Sequence, residues 1–248
     1  MSGHSKWSQI KRQKGINDVK KGQTFTKLGY VITLVARESN NGDPDTNPRL
    51  RMAIEEARNV NMPKENIARA IDKGLGKLPG QTIEEVTYEG FGPGKVAFLV
   101  EGITDNKLRT TSEVRNIFER NGGSVASTAY VFDKMGEIRV KGKGGSVQDE
   151  ELELIDTGAE DVEYFTEQGS QKYLITTQPN SLNEVSKKIT ELGFEVENSD
   201  LTMRPNISVE IHDKETAQKV LDFAEKLEDH DDIQKVFSNL EIPDNVLS

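Results

Sequence analysis

The stretch KVAFLVEGITDNKLRTTSEVRNIFERNGG, from Lys95 to Gly123, contains a change of hydrophobic periodicity that decides the class of the fold. Its first nine residues form a short apolar run with valine and isoleucine, which is typical of a buried β-strand. From Asn106 to Arg120 the apolar residues recur at helical spacing, and the following Asn-Gly-Gly is a stop signal. A strand followed directly by a helix predicts an α/β unit in this part of the chain.

A more complete α/β unit is predicted downstream. Its elements alternate as strand, helix, strand, strand, helix and strand. They are Glu137–Val140, Asp149–Thr157, Val162–Thr166, Lys172–Thr177, Leu182–Leu192 and Phe194–Leu201. This βαββαβ order is that of the ferredoxin-like plait, so we expect an α/β plait domain over residues 136–205.

The first unit lacks a final helix and strand, and elements of that kind appear only at the end of the chain. The other predicted elements are strands at 124–126 and 130–133, an extended segment at 207–211, a helix at 214–227 and a strand at 233–237. The sequence FDKMG, residues 132–136, is interpreted as a turn. The element order therefore predicts a split α/β plait domain, residues 82–135 plus 206–248, into which the domain of residues 136–205 is inserted.

The beginning of the chain has helical periodicity. Three helices are predicted at about 18–37, 48–58 and 63–74, with Asn47 and Pro48 as the start signal of the second. They form a predicted basic helical domain, residues 1–80, whose last residues are rich in glycine and proline. The expected fold class is α+β: an N-terminal three-helix domain followed by two ferredoxin-like α/β domains, the second inserted into the first.

Charge is unevenly distributed along this acidic chain, whose formal net charge is -10. Residues 1–80 contain 15 Lys and Arg against 8 Asp and Glu, a net charge of +7. Residues 81–248 contain 17 against 34, a net charge of -17. A basic module joined to an acidic body favours a polyanion as the partner of the basic part.

The basic arm at the start of the chain is the candidate site. Its cations neutralise phosphates and release counterions, while the single tryptophan has an indole that stacks on an exposed base. With the cations of the first two helices, the predicted nucleic-acid-binding residues are Lys6, Trp7, Lys11, Arg12, Lys14, Lys20, Lys21, Lys27, Arg49 and Arg51. A solvated basic face is the alternative, with Trp7 anchoring the arm to the helices.

Other motifs indicate no enzyme and no cofactor. GFGPGK, residues 90–95, lacks the spacing of a phosphate loop and precedes a strand, so we interpret it as a glycine turn. The three histidines are far apart, and EDHDD, residues 228–232, lacks the ligand spacing of a calcium loop, so no metal site is predicted. The absence of cysteine excludes disulfides and a thiol nucleophile. No relay of serine or paired carboxylates suggests catalysis.

Location and assembly follow from what the sequence lacks. No apolar run approaches the roughly 20 residues of a membrane span, and no signal-peptide core is present. We therefore expect a cytoplasmic protein without a membrane partner. No heptad pattern or long apolar seam suggests dimerisation, so a monomer is expected.

Three stretches occur together: HSKWSQIKRQKG at 4–15, NPRLRMAIEEARNVNMPKENIARAIDKG at 47–74 and YEGFGPGKVAFLVEGITDNKLRT at 88–110. Together they resemble the YebC/PmpR family, to which the translational activator of mitochondrial cytochrome oxidase subunit I also belongs. The resemblance covers nearly the whole chain. It implies a helical N-terminal domain, two α/β domains of which one interrupts the other, and a non-enzymatic, cytosolic role in gene expression.

The resemblance leaves two functions open, because some members are described as DNA-binding transcriptional regulators and others resemble translation factors that act on the ribosome. The basic arm with its tryptophan favours ribosomal or transfer RNA, where unpaired bases are available for stacking. No predicted helix has the Asn, Gln and Arg set that reads a DNA major groove. A DNA-binding regulator remains the alternative, and an interaction scaffold built on the acidic plaits is a third hypothesis.

Overall fold

The computed structural model describes residues 18–78, 82–167, 169–243 and 246. Its internal contacts divide the chain into two compact units. The smaller unit is Tyr130–Ile207, and the larger unit contains the described residues up to Ala129 and from Ser208 onward. Helices and antiparallel sheets are combined as predicted, so the fold class is α+β.

Three helices open the described chain: α1 Asp18–Ser39, α2 Pro48–Asn59 and α3 Lys64–Gly74. The predicted start of α2 is confirmed, because the Asn47 side chain accepts a hydrogen bond from the amide of Leu50 and Pro48 occupies the first turn. The helices share a core whose members include Leu28, Ile32, Val35, Leu50, Ile54, Ile67 and Ala70. The predicted three-helix arrangement is therefore present.

Helices α1 and α3 approach each other most closely at Gly74. A Cβ atom at this position would lie 2.8 Å from the Cβ of Ala36 and closer still to the carbonyl oxygen of Thr33. The Thr33 hydroxyl donates a hydrogen bond of 3.0 Å to the carbonyl of Ala70 across the same contact. Glycine is required here because a side chain has no space between the two helices.

The remaining elements follow in chain order. They are β1 Glu84–Phe91, β2 Ala97–Thr104, α4 Lys107–Arg120, β3 Ser124–Val125, β4 Phe132–Lys141, α5 Val147–Ile155, β5 Asp161–Glu167, β6 Ser170–Thr177, α6 Leu182–Glu191, β7 Glu195–Pro205, β8 Val209–Glu210, α7 Lys214–Glu228, β9 Ile233–Ser238 and β10 Leu240–Glu241. A short 3₁₀ turn at Pro93–Lys95 leads into β2, which confirms the interpretation of GFGPGK as a glycine turn before a strand.

The sheet of the larger unit has the strand order β3-β1-β2-β9, and every neighbouring pair is antiparallel. Helices α4 and α7 pack against it around three phenylalanines, with the ring of Phe223 at 4.9 Å from Phe98 and 5.0 Å from Phe118. Strand β1 was not among the sequence predictions. The strand begins with two glutamates, and only every second residue after them, Val86, Tyr88 and Gly90, faces the core. This short alternation gives a weak strand signal.

The predicted strand at 130–133 and the turn FDKMG are wrong. Strand β4 runs without interruption from Phe132 to Lys141 and pairs with β7 from Pro205 to Glu195. Gly136 is not a turn residue, since a Cβ there would lie 2.8 Å from Thr177 and 2.9 Å from Leu182. Glycine at this position gives space for packing inside a strand, and the fourth strand of the larger unit's sheet is β1.

The sheet of the smaller unit has the order β5-β6-β4-β7, again antiparallel throughout. Helices α5 and α6 cover one face of it through a core that includes Ile138, Leu154, Tyr173 and Ile189. This arrangement is the predicted ferredoxin-like plait. The compact unit starts a few residues before the predicted boundary at 136, because the β4–β7 ladder begins at Phe132 and Pro205.

Across the described ranges, none of the helices combines the length and the apolar character that a membrane span requires.

Candidate nucleic-acid interface

The ten residues that the sequence predicts for nucleic-acid binding fall into three groups. The first group lies outside the described residues and comprises Lys6, Trp7, Lys11, Arg12 and Lys14. The second, Lys20 and Lys21, lies near the beginning of the described part of α1. The third, with described side chains, is Lys27 on α1 and Arg49 and Arg51 on α2.

Lys27 connects α1 to the end of α7. Its ammonium group donates a hydrogen bond of 2.5 Å to the backbone carbonyl of Glu228. One turn earlier, Gln23 donates to the carbonyl of Asp229 at 3.0 Å. These carbonyls form the C-terminal end of α7, where the helix dipole has its partial negative charge. The half-buried ammonium of Lys27 therefore stabilises the packing of α1 against α7.

Arg49 and Arg51 lie on the exposed side of α2. The Nη1 atom of Arg49 is 2.9 Å from Oε2 of Glu38, and Nη1 of Arg51 donates to the carbonyl of Pro44 at 3.4 Å. An exposed ion pair of this kind contributes roughly 0–1 kcal/mol. A phosphate could therefore replace Glu38 as the partner of Arg49 at small cost.

A stripe of polar side chains on α3 was missed by the sequence predictions. Asn66, Arg69 and Lys73 are three and four residues apart, so they follow one side of the helix. Ile67 and Ala70 of the same helix enter the core. The signal was present as two cations at i and i+4 on an amphipathic helix, but the sequence predictions considered only its apolar side.

This stripe lines a cavity of about 430 Å³ between α1 and α3, which we call the cationic groove. Its lining residues are Gly22, Phe25, Thr26, Gly29, Tyr30, Thr33, Met62, Asn66, Arg69, Ala70 and Lys73. No carboxylate is among them, although the chain as a whole has 42 Asp and Glu. Cations for phosphates and aromatic rings for bases are thus present in one concave surface.

A second cleft, of about 940 Å³, also adjoins α1 and, unlike the groove, has acidic side chains beside three cations, Arg109, Arg120 and Lys226. We call it the acidic cleft because Glu113, Asp229, Asp231 and Asp232 all line it. Arg109 on α4 and residues of α1 and α7 complete its walls. All of these residues belong to the larger unit.

Asp232 is the centre of a hydrogen-bond network in the acidic cleft. Its side chain is 2% exposed, and one carboxylate oxygen lies 2.7 Å from Nη2 of Arg109. The hydroxyls of Thr110 and Thr104 lie 2.6 and 3.0 Å from that same oxygen of Asp232. Burial raises the pKa of Asp232, but the hydrogen bonds from the two threonines and Arg109 outweigh it, so the pKa lies below its ordinary value.

His230 extends the network to α4. Its Nδ1 accepts a hydrogen bond of 3.1 Å from the amide of Asp232, so Nε2 has the proton that is donated to Glu113 at 2.9 Å. Asp232 is thus paired with Arg109, and His230 with Glu113. Within the described ranges, no group of three or more His, Asp or Glu side chains is arranged to hold a metal ion.

Family models match the chain in two parts. Residues 5–77 match the TACO1/YebC protein N-terminal domain, and residues 83–240 match the TACO1/YebC second and third domain. The two matches together span most of the chain. The first contains all of the helices that form the cationic groove.

Similar proteins match over the full length. Proteins named probable transcriptional regulatory protein are 46% identical in Persephonella marina and 44% identical in Dictyoglomus thermophilum; each match covers 100% of this chain and 98% of the relative. The crystal structure of a conserved hypothetical protein, Aq1575 from Aquifex aeolicus, is similar with a TM-score of 0.78 and 42% identity. That match covers 93% of this chain and 94% of the other. The chain belongs to the TACO1/YebC family.

Proposed function

We propose that the protein is a non-enzymatic regulator of gene expression that binds RNA on the ribosome through its helical domain. The observation that carries this proposal is the cationic groove, whose described lining has two cations and no carboxylate in a chain of net charge -10. Local positive charge of this kind attracts a polyanion, while the acidic remainder limits nonspecific binding.

The N-terminal arm has a part in the same proposal. Lys6, Lys11, Arg12 and Lys14 contact phosphates, and Trp7 stacks on an unpaired base. Lys20, Lys21, Arg49 and Arg51 extend the basic surface along α1 and α2. The partner that offers both structured phosphates and unpaired bases is ribosomal or transfer RNA.

Sedimentation with ribosomes on sucrose gradients tests this function. The wild type is compared with a Lys11→Glu, Arg12→Glu, Lys14→Glu variant at two salt concentrations. We expect the wild type to sediment with ribosomes at low salt and the variant to remain near the top, because charge reversal removes phosphate contacts. A wild type that never sediments with ribosomes contradicts the proposal.

DNA binding is the second candidate function, and it is favoured by the relatives named probable transcriptional regulatory protein. A transcriptional regulator would bind a preferred duplex at least roughly a thousandfold more tightly than bulk DNA at physiological salt. Selection from a random duplex library followed by a competition assay measures this ratio. Recovery of one such sequence, with no sedimentation on ribosomes, supports transcription over translation.

A further inference from the structure

A second cavity, of about 370 Å³, adjoins the cationic groove. The two cavities share Thr33 and Lys73, so they form a continuous surface. Arg37 near the end of α1 and Thr82 before β1 also line the second cavity. Like the groove, it has no Asp or Glu among the lining residues that the structure describes.

Arg37 is the unusual residue of this cavity. Its Nη1 atom is buried and has no hydrogen-bond partner among the residues that the structure describes. Buried polar groups of folded proteins are hydrogen-bonded with few exceptions, and a guanidinium nitrogen without an acceptor is unfavourable. The Arg37 side chain lines the cavity, so a ligand bound there would lie beside a guanidinium whose hydrogen-bonding capacity is not fully used by the described residues.

The acids that neighbour Arg37 and Lys73 in sequence do not neutralise them. Glu38 is paired with Arg49 at 2.9 Å, and Asp72 is paired with Lys77 at 3.2 Å. The C-terminal ends of α1 and α3 each contribute roughly half a negative charge. Two full positive charges outweigh these two partial charges, so the cavity still favours an anion.

We propose that this cavity is a phosphate-binding subsite for an unpaired RNA strand, an inference that rests on the proposed function. Arg37 and Lys73 hold one phosphate, and the strand continues past Arg69. Arg69 and Lys73 are one helical turn apart, about 6 Å along the axis of α3, so neighbouring phosphates meet successive cations. Phe25 and Tyr30 in the adjoining groove offer surfaces for its bases.

The shape of the site favours a single strand over a duplex. Its two cavities are concave, whereas proteins contact a duplex backbone with protruding elements that follow or enter its grooves. One extended strand enters a groove of this size because its phosphates and bases are accessible separately. In a duplex the phosphates lie on a rigid convex surface, so they cannot enter the cavity that Arg37 lines.

Fluorescence anisotropy with the full-length protein tests the subsite. The probes are a labelled, unstructured single-stranded RNA oligonucleotide and a DNA duplex of the same sequence. We expect Arg37→Gln and Lys73→Gln each to weaken binding of the single strand roughly tenfold and to lower its salt dependence by about 0.7 in log-log slope per lost contact. Lys73→Arg, which keeps the charge, restores most of the affinity.

Lys77→Gln is the matched control, because Lys77 lies near the same helix end but is paired with Asp72 and does not line the cavity. Its affinity for the single strand should stay within about twofold of the wild type. Thermal denaturation verifies that each variant is folded. No described hydrogen-bond partner is lost in Arg37→Gln, so its melting temperature should match that of the wild type.

Three outcomes would contradict the proposal in distinguishable ways. If the wild type binds the single strand and both Gln variants bind equally well, the subsite is wrong while the proposed function stands. If the wild type binds the duplex as tightly as the single strand and the variants lose both, the site contacts duplex backbone. If the wild type binds neither RNA nor ribosomes, the proposed function itself fails.

Discussion

The cationic groove and the acidic cleft both adjoin α1, yet their charged groups are arranged in opposite ways. In the cleft, the carboxylate of Asp232 accepts three hydrogen bonds, and His230 is paired with Glu113. In the groove, Arg69 and Lys73 face no carboxylate. The central charges of the cleft are paired, whereas Arg69 and Lys73 have no acidic partner among the described lining residues of the groove.

This difference suggests two roles for charged residues in the chain, one in stability and one in binding. A buried carboxylate that accepts hydrogen bonds from several elements fixes their positions. Asp232, in the loop before β9, is bonded to Thr104 of β2 and to Arg109 of α4. Cations without an acidic partner in a concave surface do not fix the positions of neighbouring elements, and they are candidates for binding a ligand. The cleft is therefore expected to determine stability and the groove to determine binding.

Reversing the charge of the groove and its adjoining cavity should have the largest effect. In the triple variant Arg37→Glu, Arg69→Glu, Lys73→Glu, we expect affinity for single-stranded RNA to fall about a thousandfold, because three phosphate contacts become repulsions. The free energy of unfolding should fall by about 1 kcal/mol, because no ion pair is broken but the new carboxylates lie near the negative C-terminal ends of α1 and α3. Anisotropy titration and urea denaturation measure the two quantities.

The matched control for this variant reverses three exposed lysines elsewhere on the chain: Lys187→Glu, Lys214→Glu and Lys219→Glu. It has the same net charge as the triple variant of the groove. Equal loss of affinity in the control would show that total charge, and not the groove, attracts RNA. The contrast between groove and cleft would then have no bearing on binding.

Removing the charge at the centre of the cleft should have the next largest effect, on stability instead of binding. We expect Asp232→Asn to reduce the free energy of unfolding by about 3 kcal/mol, because a neutral amide oxygen replaces the charged acceptor that Arg109 and two threonine hydroxyls share, and Arg109 loses its buried counter-charge. Urea denaturation measures this loss. Asp231→Asn, at the exposed neighbouring position, is the control and should cost less than about 0.5 kcal/mol.

A side chain at the crossing of α1 and α3 should have a smaller but measurable effect. Gly74→Ala introduces a methyl group 2.8 Å from Ala36, so we expect a loss of about 2 kcal/mol of stability through overpacking. Gly22→Ala, on α1 where nothing lies within 4 Å of the added Cβ, should be neutral or stabilise the helix by up to about 1 kcal/mol. Equal effects in both variants would contradict the close approach at Gly74.

The pH dependence of stability should show the smallest difference. Because the folded-state pKa of Asp232 lies below its unfolded value of about 3.9, ionisation of Asp232 stabilises the fold above that pH. This contribution is lost as the pH falls through the folded-state pKa. We expect the urea midpoint of the wild type to fall more steeply below about pH 4 than that of Asp232→Asn. Parallel profiles would assign no role to this carboxylate.

The parts of the fold that could be predicted are those with strong local periodicity. Helix α2 and the plait of Tyr130–Ile207 could be predicted because helix caps and the alternation of apolar and polar residues are visible in short stretches of sequence. Strand β1 was missed since its apolar face is formed by only Val86, Tyr88 and a glycine, framed by acids. Gly136 was interpreted as a turn because a glycine that makes room for Leu182 has the same local signature.

The candidate site was harder to predict, because it is defined by cations that have no acidic neighbour among the described residues of the folded chain. Lys27 and Lys73 look alike in sequence, but Lys27 donates to a carbonyl 201 residues away while Lys73 lines a cavity without acids. Only the packing of α1 against α3 and α7 distinguishes the two. Counting cations therefore located the basic domain but not the groove within it.

The insertion has a consequence for how the protein tolerates damage. The two ends of the smaller unit lie side by side, because the amide of Asn206 donates a hydrogen bond of 2.9 Å to the carbonyl of Val131. If these 78 residues unfolded, the larger unit would have to close a long loop in place of a short one, at an entropic cost of roughly 2–3 kcal/mol. Unfolding of the smaller unit should therefore lower the stability of the larger unit by about that amount, although the two have separate cores.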